Sequence, residues 1–184
     1  MRRDVDAVRL GTFLKALGES AKGETTVYLT GGATAVLHGW RQTTVDVDLK
    51  LEPERDEVFR ALPGLKERLE MNVELAAPDG FLPELPGWRE RSHFVTREGL
   101  VTFRHYDFYA QVLAKVERGH ARDLADVKAM LERGLVEPTR LREMFAAIEP
   151  MLYRFPAVDP PTFRAALETA LAGPNGVAPG GLRS

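Results

Sequence analysis

The chain has 184 residues, 44% of them hydrophobic and 28% charged, a balance that suits one folded unit with a helical appendage. A net charge of −2 and a pI near 6.1 exclude a global attraction to nucleic acid or to an anionic membrane, so any such contact must be local. The absence of cysteine excludes a disulfide framework, a thiolate metal site and a thiol nucleophile, and it fits a cytoplasmic setting.

The start, "MRRDVDAVRL", lacks the apolar run of a secretory leader, and no stretch approaches the ~18 apolar residues of a membrane span. The expectation is a chain with no membrane contact. Val5, Val8, Leu10, Phe13, Leu14 and Leu17 recur at helical spacing and predict an amphipathic helix over the first 20 residues. "TTVYLT" is β-branched and aromatic and predicts a strand running into Gly31-Gly32. "ATAVLHG" reads as a short helix ended by Gly39. "TTVDVDLKL" alternates, with Val45, Val47, Leu49 and Leu51 on the inward side of a strand. "PERDEVFRAL" predicts a helix with Pro53 in its first turn. "MNVELA" predicts a third strand, and "PDGFLPELPGWRE" a loop. "RSHFVT" and "LVTFRH" flank "REG" as a hairpin turning at Gly99.

Beyond Tyr106 the pattern is helical. One stripe holds Phe108, Tyr109, Val112, Leu113 and Val116; the next, Leu124, Val127 and Leu131; a third, Leu141, Met144, Phe145 and Ile148. Asp159 before Pro160 caps a last helix bearing Phe163, Leu167 and Leu171. The fold class expected is α+β. A mixed-sheet core with its N-terminal helix occupies 1–105, a helical region packed on it 106–172, and a flexible tail 173–184.

Two features carry chemistry. Asp46 and Asp48 stand two apart on a strand, so both project to one side. Carboxylates about 5 Å apart repel by about 3 kcal/mol at an effective dielectric of about 20. That raises one pKa by about two pH units unless a cation sits between them. Mg²⁺ (or Mn²⁺) suits such hard oxygens and leaves room for substrate phosphates. The other feature is Gly31-Gly32, after a strand and before a short helix, where the backbone can approach a phosphate closely, with Thr30 and Thr34 adding hydroxyl donors. Together they predict a phosphate-and-metal site.

The pattern "LTGG", then 13 residues, then "DVDL" resembles the signature of the nucleotidyltransferase-fold superfamily. That resemblance implies a glycine pair opening the nucleotide site, paired acids on Mg²⁺, and a third acid from a nearby strand. Glu74 in "NVELA" is the candidate for that acid, as ligand or base, with Asp79 the alternative. Within the superfamily the chain is similar to small bacterial nucleotidyltransferase-like proteins related to abortive-infection toxins. These carry an arginine before the acids and a Lys–Arg–Asp segment on later helices. Arg41 answers to the first, standing five residues before Asp46 where the toxin branch has four. Lys115, Arg118, Arg122, Asp123 and Asp126 answer to the second.

Lys115 borders the apolar stripe of its helix and can reach nucleotide phosphates as a point charge. Asp123 can orient Lys115 or Arg118, or assist deprotonation of an acceptor. Arg122 and Asp126 also have the spacing of an ordinary surface pair. His38, His93, His105 and His120 show no metal-ligand spacing, and Trp40 and Trp88 read as core or loop anchors.

The implied activity is Mg²⁺-dependent transfer of a nucleoside monophosphate from a nucleoside triphosphate to a hydroxyl of RNA (a tRNA end), of protein or of a small molecule. A nucleotide-binding sensor that has lost turnover, and a toxin with an antitoxin-like partner, stand beside it.

Overall fold

The computed structural model describes residues 3–173, and most of the expected tail lies outside the described residues. The fold is α+β, as the alternating first half and helical second half imply. Helix α1 (Ala7–Ser20) leads into β1 (Thr25–Thr30), α2 (Gly31–Leu37), β2 (Asp46–Glu52), α3 (Asp56–Arg68) and β3 (Asn72–Leu75). A 3-10 turn at Pro78–Gly80, α4 (Trp88–Arg91), β4 (His93–Glu98) and β5 (Val101–His105) follow. Helices α5 (Phe108–Arg118), α6 (Ala121–Glu132), α7 (Pro138–Ile148) and α8 (Pro160–Ala172) complete the described chain. No described helix is long and apolar enough to cross a membrane.

The sheet has the order β3-β2-β1-β5-β4, with β1/β5 and β2/β3 parallel and β1/β2 and β4/β5 antiparallel. Strand alternation sends Val27, Leu29, Val47, Leu49, Val73 and Phe103 to one face, where α1 and α3 bury them. The opposite face carries Tyr28, which meets Trp88 edge-on at 4.7 Å, while Trp88 stacks on Tyr106 at 4.3 Å. These rings join the apolar sides of α5 to α8 in a second core. That core therefore recruits Tyr28 and Trp88 from the first 105 residues, and it stands on the face of β2 from which Asp46 and Asp48 project.

Several local expectations change. Val5 lies in an extended bridge to Thr44, ahead of α1, whose cap is Asp6 accepting from the Arg9 N–H. Val8 is 78% exposed, and Val45 and Leu124 also face outward. Helix α3 begins at Asp56, where Asp56 and Glu57 complement its positive end; Pro53 lies before it. The segment read as loop contains the 3-10 turn and α4. Asp159 caps α8 as expected, accepting from the Thr162 N–H at 3.0 Å.

His105 is buried beside His38 and His93. Burial first, then those two neighbours, pull its pKa down to about 3. The folded pKa lies below the unfolded one, so the stability linked to neutral His105 is complete above about pH 6.5 and is lost as the pH falls toward 3. Its ring signals in NMR are expected to stay still between pH 5 and 8; a titration midpoint near 6.5 would contradict this burial.

Candidate active site

An open cleft of about 140 Å³ lies between the sheet face and α5. Its floor holds Asp48 and Glu74, its start Thr30 and Gly31, and its α5 wall Lys115 and Arg118.

The parallel register of β2 and β3 sets Asp48 beside Glu74 and Asp46 beside Asn72. The Asn72 amide donates to Asp46 Oδ1 at 2.5 Å and to Glu74 Oε1 at 2.8 Å, tying the carboxylates into one row. The Asp48 carboxyl is pushed up to about 6, by burial above all and then by Asp46 and Glu74. Repulsion between the two aspartates is therefore real but second to desolvation. Glu74 stands in register with Asp48 and lines the cleft with it. Asp79 instead forms an ion pair with Lys50 at 2.5 Å, away from the row. Among the described residues no group of three or more His, Cys, Asp or Glu side chains is arranged to hold a metal ion. Of the two aspartates only Asp48 lines the cleft, and the hard oxygens of the pair could hold a divalent cation.

The glycine pair serves the acids more directly than the sequence implies. Gly31 has φ +59°, and a Cβ there would stand 2.6 Å from Asp48 Oδ2. At Gly32 a Cβ would stand 1.9 Å from Thr44 Oγ1. The pair lets α2 lie against β2, and only Gly31 borders the cleft. Gly31→Ala is expected to cost about 1–3 kcal/mol through strain and the displaced carboxylate; an unchanged urea midpoint would contradict the close fit.

The hydroxyl of Thr34 corrects another expectation. It is fully buried, 3.3 Å from the Leu29 carbonyl oxygen and 3.2 Å from His105 Nδ1, and it accepts from Gln111 Nε2 at 3.2 Å. It has no path to a ligand. Gln111, which the sequence reading passed over, also donates to the Tyr106 carbonyl and accepts from the Gly31 N–H at 3.1 Å. A glutamine amid the apolar stripe of α5 was the signal for this clamp, because a buried amide needs partners.

On the α5 wall, Lys115 is 4% exposed and donates to Asp126 at 2.7 Å and to Asp123 at 3.2 Å. Arg41 corrects a further expectation. Its guanidinium grips Asp126 at 2.6 and 2.8 Å and does not line the cleft. Trp40 Nε1 donates to the same carboxylate at 3.0 Å. Asp126 is thus a buried hub, not the surface partner of Arg122. Burial alone would raise the Asp123 carboxyl, but hydrogen bonds from Arg118 and the charge of Lys115 outweigh it and hold it below the usual range. The Asp123 carboxylate so held orients Lys115 and Arg118, one of the two parts expected of it. The cleft therefore has an acidic floor and a cationic wall.

A family model described as nucleotidyltransferase of unknown function (DUF6036) matches residues 8–159, most of the chain. The chain belongs to that family. No curated protein and no solved structure gave a significant match. The matched span contains both the acidic row and the Lys115 network, so the family assignment covers the whole cleft.

Proposed function

We propose that this family member transfers a nucleoside monophosphate from a nucleoside triphosphate to an acceptor hydroxyl, with Mg²⁺ or Mn²⁺. One observation carries the reading: Asp48 and Glu74 lie side by side on the floor of a cleft whose other wall presents Lys115 and Arg118. Such polarity suits a metal on the floor and a polyphosphate spanning to the cations.

Asp46 and Asp48 would hold the divalent ion, which would supply positive charge against the phosphates and lower the pKa of the acceptor hydroxyl. Lys115 and Arg118 hold the β- and γ-phosphates. The acceptor oxygen forms a bond to the α-phosphorus as the α–β phosphoanhydride bond breaks and pyrophosphate leaves. Glu74, steadied by Asn72, takes the hydroxyl proton. The acceptor class is RNA, such as a tRNA end, a protein side chain or a small molecule, and the resemblance to abortive-infection toxins extends the proposal to an antitoxin-like partner. A nucleotide sensor without turnover is the second reading, favoured by the lack of a three-acid metal group among the described residues.

Calorimetric titration with ATP, GTP, CTP and UTP tests the site. Binding is expected to need the divalent ion and to weaken by about 10- to 100-fold in Lys115→Met, the loss of a charge-assisted bond. Equal binding in EDTA, in Asp48→Asn and in Lys115→Met would contradict it. Binding without pyrophosphate release would select the sensor.

A further inference from the structure

The cleft has a third part that metal and phosphate chemistry does not use. Past the acidic row the chain leaves β3 through Ala76 and Ala77 and turns at Pro78–Gly80 into Phe81. Of the exposed large apolar side chains among the described residues, Phe81 alone stands on this cleft, 57% exposed. Its backbone is fixed: its N–H donates to the Pro78 carbonyl at 3.0 Å, and the next residue, Leu82, is buried in the second core. The ring is thus held out on the cleft by a closed turn while its neighbour anchors that turn.

We propose that Phe81 is the platform on which the nucleobase of the triphosphate stacks, and that the site accepts purine and pyrimidine nucleotides alike. The proposal rests on the reading of the cleft as a triphosphate site. An aromatic face beside a charged polyphosphate site fits a nucleobase, which joins a flat apolar ring to a phosphate chain. Lack of base selectivity follows from the side chains around it. Phe81, Ala76, Ala77 and Ala114 bring no hydrogen-bonding side-chain group to this part of the cleft. Among the described residues the one side-chain amide lining the cleft, Gln111, spends its oxygen on the Gly31 N–H and its nitrogen on Thr34 and the Tyr106 carbonyl. Strong discrimination between bases needs polar groups that the wrong base leaves unpaired, whereas every base has a face to stack.

The test is calorimetry with Mg²⁺ on the wild type, Phe81→Ala and Phe81→Trp, using the four nucleoside triphosphates and inorganic tripolyphosphate; thermal melting checks that each variant is folded. The four nucleotides should bind the wild type within about tenfold of one another. Phe81→Ala should weaken all four by about 10- to 100-fold, leave tripolyphosphate unchanged, and be rescued by Phe81→Trp. Nucleotide binding unchanged in Phe81→Ala, with tripolyphosphate still bound, would overturn the stacking role and leave the triphosphate site standing. An equal loss for nucleotides and tripolyphosphate would make Phe81 merely structural and overturn it too. A preference for one base beyond a hundredfold would overturn the base-neutral part. If neither tripolyphosphate nor any nucleotide binds the wild type, the site itself is refuted and the platform with it.

Discussion

Asp126→Ala is expected to destabilise the protein by about 3–5 kcal/mol, enough to leave little folded protein in a domain of ordinary stability. The carboxylate is 1% exposed and receives Arg41 through two nitrogens, Lys115 and the indole of Trp40. Removing it leaves a buried lysine whose remaining carboxylate, Asp123, is shared with Arg118. Burying an uncompensated cation costs far more than a surface pair ever contributes. Urea unfolding measures it. A loss below about 1 kcal/mol, the range of a surface pair, would show that Asp126 is not the hub.

Asp48→Asn is expected to act in the opposite direction on stability while abolishing transfer. Its folded pKa, about 6, lies above the ordinary 3.8. The folded state therefore pays for ionising Asp48 as the pH rises from about 4 through 6, and the penalty is complete above that. Asparagine removes the penalty, so at pH 8 in EDTA the variant should be more stable by about 3 kcal/mol. Near pH 4 the difference should vanish, because the wild-type carboxyl is then protonated in the fold. Adding Mg²⁺ should narrow the gap at pH 8 by stabilising only the wild type. A variant no more stable than wild type at pH 8 would contradict the strain in the acidic row.

Much of this was legible in the chain. The alternation of Val47, Leu49 and Leu51 fixed which side of β2 is buried, and so placed Asp46, Asp48 and Lys50 together on the other. Glu74 was reached through the resemblance, as an acid on the predicted third strand, and Asn72 beside it was overlooked although it shares that side. The failures are tertiary. Asp126 and Arg122 have surface-pair spacing, but Arg41, 85 residues away in sequence, reaches Asp126 instead. The Thr34 hydroxyl faces inward because α2 begins at Gly31 itself, so the first turn is buried against β2 and α5. Helix α3 runs through Pro63 to Arg68, since burial of Leu62 and Leu65 outweighs a lost backbone bond. A proline- and glycine-rich segment reads as loop, yet it holds a 3-10 turn and α4, while Trp88, read as a core or loop anchor, is buried in the second core.

The most direct test incubates the protein with each α-³²P-labelled nucleoside triphosphate and Mg²⁺, with total tRNA or cell lysate, beside the Asp46→Ala/Asp48→Ala variant. Label should pass to RNA, protein or a small molecule with release of pyrophosphate, and fall by at least about a thousandfold in the variant, the scale of losing a catalytic metal's charge stabilisation. Label transferred equally by the double variant would contradict the acidic row as the seat of the chemistry.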